Sequence, residues 1–356
     1  MTTINPDDIE FGLDSFGEVT TDGSGRLMSD PEAVRLMVDE AVLAEKSGIG
    51  SYNIGEHYRP DMVDSASHVI LAAIAARTEK LRIGTAVTVL STQDPVRVYA
   101  NFATLDAVSN GRAQLIVGRA SSIESFALFG FDLEEYETLF EEKLDLFTKL
   151  LRSQPVTWEG STRPALKNQF VRPAVEGGAI PTWVGVGGSP ESVVRAARYN
   201  LPLMLAIIGG NPRRFRPFVD LYHEAMDKYG NAPLPVGMHS IGLIAETDEA
   251  ARDAHWPHYE AVMSQMVKER RFPAPTPEAY EREIVHGALF VGSPETVAQK
   301  IATNIRALGL SRFDLKHDIG KLPSTDRART IRLFGEAVIP RVKELLAEQP
   351  AEVATA

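Results

Sequence analysis

Short apolar runs alternate along this chain with longer stretches whose apolar residues recur every three or four positions. The first run, Ile9–Phe16, has the length and composition of a strand and ends in the polar segment GEVTTDGSG. Ser29-Asp30-Pro31-Glu32 then supplies a capping residue, an early proline and a first-turn acid, which together start a helix. Val34, Val38, Ala41 and Ala44 follow at helical spacing, and Gly48 ends the pattern. Strands are predicted next at Tyr52–Gly55, Leu81–Leu90 and Ala113–Val117, with helices over Ser67–Arg77, Pro95–Val108 and Glu135–Leu151 between and after them. Asn110-Gly111 is a turn. Leu81–Leu90 is β-branched and almost continuously apolar, as suits a parallel strand buried on both faces.

Ser153–Pro181 is rich in proline, glycine and polar residues and breaks the rhythm, so it is read as an insertion. The alternation resumes with strands at Thr182–Val186, Leu203–Ile207 and Val236–Ala245 and helices at Glu191–Arg198 and Arg214–Tyr229. Trp256–Leu289, with several prolines, is a second expected insertion. A helix from Ser293, a strand at Arg312–Lys316 and a helix at Thr325–Val338 close the pattern. About eight strands, each followed by a helix, mean an α/β protein with a parallel sheet. An open doubly wound sheet is the rival, but about eight units in this length favour a single (β/α)8 TIM barrel with insertions in its βα loops. No linker divides the chain. One barrel domain is expected over residues 1–348, with a flexible tail at 349–356.

Composition narrows the chemistry. The chain has no cysteine, which excludes disulfides, thiolate catalysis and Cys-ligated metal centres. Its net charge of −11, without long basic runs, argues against nucleic acid as a partner. The start MTTINPDDIEFG lacks the basic and apolar regions of a signal peptide. No apolar run approaches a membrane span, so no membrane partner is expected and a cytoplasmic location is the default.

In a barrel, function sits where strands end. Four such places stand out. Gly185-Val186-Gly187-Gly188-Ser189-Pro190-Glu191-Ser192 runs a strand through glycines into a helix start, where free N–H groups can hold a phosphate and Ser189 and Ser192 can add hydroxyls. The alternative is an ordinary capped turn. Gly292-Ser293-Pro294-Glu295-Thr296 has nearly the same pattern, and at most one of the two need bind phosphate. Gly118-Arg119-Ala120-Ser121-Ser122 places Arg119 past a strand end, ready for a phosphate or for a surface ion pair. Glu56-His57-Tyr58 puts a histidine where it can do acid–base work or be structural. In Gly84–Leu90, small residues in mid-strand leave room for a flat ring against the backbone. The eight histidines show no HxxxH or HxH spacing, so no metal site is expected. No GxGxxG after a strand, Walker lysine motif or GxSxG elbow is present.

Taken in order, these segments resemble the bacterial luciferase-like flavin monooxygenase family. The resemblance runs from Ile9 to about Leu346 and is most specific over IGTAVTVLSTQDPVRVYANFATLDAVSNGRAQLIVGRAS, Ile83–Ser121. GEHY at Gly55–Tyr58, IPTWVGVGGSPESVVRAARYNLPLM at Ile180–Met204 and FVGSPETVAQKI at Phe290–Ile301 fit in sequence. The ESFALFG and IIGGNPRRF segments are most similar to a branch of uncharacterised oxidoreductases.

The resemblance implies a barrel that binds FMN non-covalently, receives it reduced from a separate reductase, uses O2 to oxygenate a small organic substrate and forms a homodimer. It places Arg119, Gly187, Gly188, Ser189 and Ser192 on the flavin phosphate. Ala86 and Val87 fall where members often have a non-proline cis peptide under the flavin ring, and His57 falls on a catalytic histidine. The insertions 153–181 and 256–289 are the expected lid. The same superfamily contains deazaflavin-dependent dehydrogenases, and some relatives bind flavin without catalysis, so both stay as alternatives. Tyr58 stands where luciferase has a second histidine, Gly118 where it has a reactive cysteine, and Gly187-Gly188 where it has an acidic-serine pair. These departures argue against luciferase itself.

Overall fold

A computed structural model describes residues 4–119, 123–175, 177–270 and 274–348. Its strands are β1 (Glu10–Ser15), β2 (Ser51–Ile54), β3 (Arg82–Val89), β4 (Leu115–Gly118), β5 (Val156–Trp158), β6 (Leu166–Gln169), β7 (Thr182–Val186), β8 (Leu203–Ala206), β9 (Val236–Ile244), β10 (Phe290–Gly292) and β11 (Arg312–Lys316). The parallel order β9-β11-β1-β2-β3-β4-β7-β8 closes on itself through β8–β9 pairing, giving an eight-stranded (β/α)8 barrel. The expected fold is the one observed.

The helices are α1 (Asp30–Lys46), α2 (Ser67–Ala75), α3 (Pro95–Ser109), α4 (Glu124–Phe129), α5 (Tyr136–Arg152), α6 (Pro190–Arg198), α7 (Arg216–Lys228), α8 (Asp248–Arg270), α9 (Pro277–Val285), α10 (Pro294–Leu308), α11 (Ser324–Leu333) and α12 (Ile339–Ala347). Local chemistry sets their ends. Ser29 precedes α1, and its backbone N–H donates to Glu32 at 2.8 Å, the return half of a capping box. Asp94 caps α3 through the N–H groups of Val96 and Arg97. Asn110 ends α3 in the left-handed conformation at φ 56°.

Alternation along each strand sorts side chains into two layers. Leu13, Tyr52, Ile83, Leu115, Val184, Leu203, Met238 and Phe313 point outward and join the helices in the main core. The inward residues are unusually polar for a barrel of this kind, whose interior is commonly branched and aliphatic. Arg312 donates to Asp314 at 3.0 Å and to Gln114 at 3.1 Å, while Asn53 bridges Gln114 and Asp14 at 2.8 Å each. Trp183 lies under the Arg312 guanidinium at 5.2 Å. Burial pushes the Asp314 carboxyl up to about 6, with Arg312 opposing the shift.

Two expectations are corrected. The 153–181 segment lies between α5 and β7, so it joins a helix to the next strand and sits at the N-terminal ends of the strands. Its β5–β6 hairpin is antiparallel and cannot cover the mouth where strands end. A depression of about 390 Å³ at that N-terminal end, lined by Glu10, Arg82, Arg152, Ile180, Trp183 and Pro235, is remote from the predicted residues for the same reason. The second insertion is longer than the proline-rich stretch suggests. It begins at α8, which runs through Pro257, continues in α9 and ends with β10 on the last residues of β9. Short helix α4 was not anticipated, and the expected tail at 349–356 lies outside the described residues.

The α8–α9 unit has its own apolar cluster, in which Leu243, Tyr280, Ile284, Ile319 and Leu322 are buried. His255 is enclosed there, its Nδ1 2.9 Å from the Tyr280 hydroxyl, and burial pushes it down to about 3. The unfolded chain therefore takes up a proton near pH 6.5 that the folded protein refuses until about pH 3. The stability this contributes is present above pH 6.5 and falls by about 1.4 kcal/mol per pH unit as the solution is acidified below it. Asp314, raised by burial, contributes the opposite slope between its unfolded and folded values, so the difference between variants is the useful quantity. His255→Phe, which keeps the ring and cannot titrate, is expected to lose less thermal stability than the wild type between pH 7 and 4.5. Parallel Tm–pH curves for the two proteins would show that this histidine does not control the acid limb.

Candidate functional site

Four consecutive barrel strands present the predicted residues. His57 follows β2, Ala86 and Val87 lie in β3, Arg119 follows β4, and Gly187, Gly188, Ser189 and Ser192 follow β7. The β3 residues therefore stand between the histidine on one side and the arginine and glycine turn on the other. Ala120, Ser121 and Ser122 of the second predicted place lie outside the described residues.

His57 is buried and held by a carboxylate that composition alone could not single out. Asp64, with no exposure, accepts from the His57 backbone N–H at 3.1 Å and lies 2.8 Å from Nδ1. Burial pushes the Asp64 carboxyl up, and the His57 hydrogen bond and charge oppose that shift. A carboxylate on Nδ1 fixes that nitrogen as the donor and leaves Nε2 to exchange a proton. Neighbouring Glu56 ties strand ends together, accepting from Val89 N–H at 2.9 Å and from Gln93 and the Tyr58 hydroxyl at 2.7 Å each. Tyr58 meets Phe129 of α4 edge-on at 5.0 Å.

A second histidine, missed in the sequence, belongs to the same neighbourhood. His239 projects inward from β9 with Nδ1 bonded to Asp14 of β1. Phe16 stacks on His239 at 5.6 Å and tilts over His57 at 4.8 Å, with Lys316 4.7 Å from its ring. Lys316 is compensated by Glu18 and Asp318 at 2.8 Å each. A mostly apolar strand such as β9 advertises its histidine only when its inward register is known.

The peptide between Ala86 and Val87 is cis. Ala86, Ile116, Trp183 and Met204 form a small apolar cluster, against which the half-buried Val87 packs. Glycines flank Val87: a Cβ at Gly118 would fall 2.7 Å from its Cγ2, and one at Gly185 would fall 2.9 Å from its Cγ1. The glycine at 118 is thus required by Val87. Gly118→Ala is expected to destabilise by about 1–3 kcal/mol through overpacking. Gly187→Ala, whose Cβ would meet nothing within 4 Å, should cost little by comparison. Thermal melts of the two variants check this, and equal melts would contradict it.

Arg119 and the β7–α6 turn come together through acids. Glu137, in the first turn of α5, accepts from Arg119 with one oxygen and from Arg195 of α6 with the other, the latter at 2.8 Å. Arg195 also reaches the Ser192 hydroxyl at 3.4 Å and Glu141 at 2.7 Å. Ser189 caps α6, accepting from Ser192 N–H, and its hydroxyl donates to Glu191 at 2.7 Å. That hydrogen bond, then a backbone N–H at Glu191 itself and, more weakly, the charges of Arg119 and Arg195, hold the Glu191 carboxyl below its usual range. Arg195 was not singled out in the sequence, although its three-residue spacing from Ser192 puts both on one helix face.

The similar turn at Gly292–Thr296 is built differently. Asp248 accepts from the Ser293 N–H at 2.7 Å and from the Thr296 hydroxyl at 3.0 Å. An internal carboxylate therefore satisfies the start of α10, and this copy is a structural cap.

A family model described as luciferase-like monooxygenase matches residues 15–312. An F420-dependent glucose-6-phosphate dehydrogenase of Nakamurella multipartita is 25% identical, over 88% of this chain and 94% of its own length. Among solved structures, a monooxygenase from Streptomyces bottropensis has a TM-score of 0.81 at 24% identity, covering 93% of this chain and 99% of its own. The oxygenating constituent of 3,6-diketocamphane monooxygenase from Pseudomonas putida, a type II Baeyer–Villiger enzyme in complex with FMN, has a TM-score of 0.73 at 18% identity, covering 94% and 99%. These structures share the fold.

Proposed function

The chain belongs to the luciferase-like monooxygenase family, and from that premise we propose that it is an FMN-dependent oxidoreductase that uses reduced flavin and O2 to oxygenate a small organic substrate. The observation that carries this reading is the spacing of unlike groups around one mouth. A His57–Asp64 pair and a cationic corner of Arg119, Arg195 and Ser192 flank the cis Ala86–Val87 peptide on consecutive strands.

The residues present fit a flavin. Ala86, Val87 and their apolar neighbours offer a surface for a flat ring, with Gly118 and Gly185 on the next two strands. Arg119, Arg195 and the α6 start, with Gly187, Gly188, Ser189 and Ser192, offer guanidinium, hydroxyl and backbone donors for a terminal phosphate. Bound reduced flavin supplies the electrons and the reaction with O2. The chain's own part is to bind, orient and exclude water. His57 Nε2 exchanges the proton that oxygen transfer requires, and Asp64 holds its ring. The α8–α9 insertion, packed against Ile319 and Leu322 of the segment after β11, is placed to restrict access.

The F420-dependent relative supports a second reading, hydride transfer with a deazaflavin. Acids crowd the phosphate corner, with Glu137 and Glu141 in its ion pairs and Glu191 within the influence of Arg119 and Arg195. That arrangement disfavours the long acidic tail of a deazaflavin and is compatible with the short phosphate of FMN. The reading includes reduced flavin delivered by a separate reductase, a cytoplasmic location and a homodimer. Exposed Val69 on α2 and Val108 on the adjacent α3 leave apolar surface for the dimer, which light scattering would test. No helix among the described residues is long and apolar enough to cross a membrane.

The test is fluorescence-quenching titration with FMN, FAD, riboflavin and deazaflavin, followed by mixing the loaded, reduced protein with O2. Preference for FMN and an oxygen-dependent product support the proposal. Preference for deazaflavin favours hydride transfer. Flavin binding without any turnover across a broad substrate panel favours a non-catalytic flavin carrier.

A further inference from the structure

The cationic corner already contains an anion. Glu137 spans two guanidiniums that arrive from different elements, Arg119 from the end of β4 and Arg195 from α6. Carboxylates and phosphates engage the planar arginine fork in the same way, so an oxygen pair between two arginines marks a position suited to either. The partners differ in freedom. The Glu137 side chain is 60% exposed, against 22% for Arg119 and 9% for Arg195. Arg195 is also held by Glu141 at 2.7 Å and lies over the Phe140 ring at 5.4 Å. Arg119 lies over the Tyr136 ring at 5.1 Å. The arginines are therefore braced without Glu137, while Glu137 can rotate into water.

We infer that Glu137 is an internal occupant of the anion site, displaced by the flavin phosphate on binding and restored when the flavin leaves. The inference rests on the proposed flavin function and deepens it, since it names the residue that sets how easily the cofactor exchanges. While the site is empty, Glu137 neutralises Arg119 and Arg195, which lowers the cost of leaving two partly buried cations together. When a phosphate arrives, the lost Glu137 contacts are subtracted from its binding. The flavin is held more weakly than the arginines alone would hold it, which suits a cofactor that arrives reduced and departs oxidised at each turnover. Riboflavin, which lacks the phosphate, gains nothing by displacing Glu137 and is insensitive to it.

Glu137→Gln and Glu137→Ala test this, since the position is exposed and neither change touches the core. FMN affinity is expected to rise about tenfold in both variants, the equivalent of about 1.4 kcal/mol. Riboflavin affinity should not change. Inorganic phosphate at millimolar concentration should raise the Tm of the variants more than that of the wild type. FMN affinity that is unchanged or weaker in both variants, beside a wild type that binds FMN, overturns the inference and leaves the flavin reading standing. If no flavin binds any of the three proteins, the flavin reading fails, and the phosphate melts alone decide whether Glu137 occupies an anion site: equal shifts in variants and wild type overturn it.

Discussion

His57→Gln is expected to slow oxygen-dependent turnover by about 10²–10⁴-fold, the usual contribution of a positioned general acid or base. FMN affinity should stay within about twofold, because His57 and the phosphate corner occupy different strands. The two ring nitrogens have different tasks. Nδ1 is committed to Asp64 at 2.8 Å, and Asp64 is fully buried, so the ring has one tautomer and one orientation. Glutamine retains an amide N–H for Asp64 but cannot exchange a proton at the Nε2 position. Asp64→Asn probes the same pair by charge. The neutral amide cannot hold Nδ1–H as a charged acceptor, so the ring loses the fixed orientation that aims Nε2. If His57 moves the proton, kcat falls in this variant while KM for substrate is little changed. A merely structural Asp64 would lower the amount of folded protein without changing kcat per folded molecule. Wild-type turnover in His57→Gln would remove His57 from the mechanism.

Much of the scaffold was legible because its strands are nearly continuous apolar runs and its helices start at capping residues. Leu81–Leu90 and Ser29–Glu32 became β3 and the start of α1 within a residue or two. The exceptions have physical causes. Pro257 lies within α8, so prolines that look like a loop in sequence are carried by a helix. The 153–181 segment reads as an insertion, but only the topology shows at which end of the barrel it lies.

In the candidate site, the strand-end residues are legible as candidates because the barrel rule selects them. Asp14, His239 and Arg195 are not, because each acts through a partner remote in sequence or through a register that apolar patterning does not fix, and Asp64 is not because the loop after β2 holds several polar residues and only its folded path turns this one back onto His57. Asp14 and His239 are 225 positions apart and meet only because β1 and β9 both border β11 and face one interior. Glu137 is the clearest case. In sequence it is one of several acids opening α5, and its contact with Arg119 and Arg195 appears only when β4, α5 and α6 are assembled.

Removal of the other half of that contact has the second large expected effect. Arg119→Ala should weaken FMN binding by about 100-fold, since a charge-assisted hydrogen bond to phosphate contributes about 1.5–3 kcal/mol and the guanidinium can make two. Riboflavin should bind the variant as it binds the wild type. Arg119→Lys should recover only part of the loss, because a point charge keeps the attraction but not the planar two-donor fork. Part of the cost is redistribution: without Arg119, Glu137 still pairs with Arg195 at 2.8 Å, so the remaining cation is neutralised internally. Combining Arg119→Ala with Glu137→Gln should therefore restore some FMN affinity through Arg195, and the two effects should not add. Equal losses for FMN and riboflavin in Arg119→Ala would mean that the arginine supports the fold of the β4 turn and not the phosphate. A loss confined to FMN, with partial rescue by the second change, would place the cofactor's anionic end between β4 and α6.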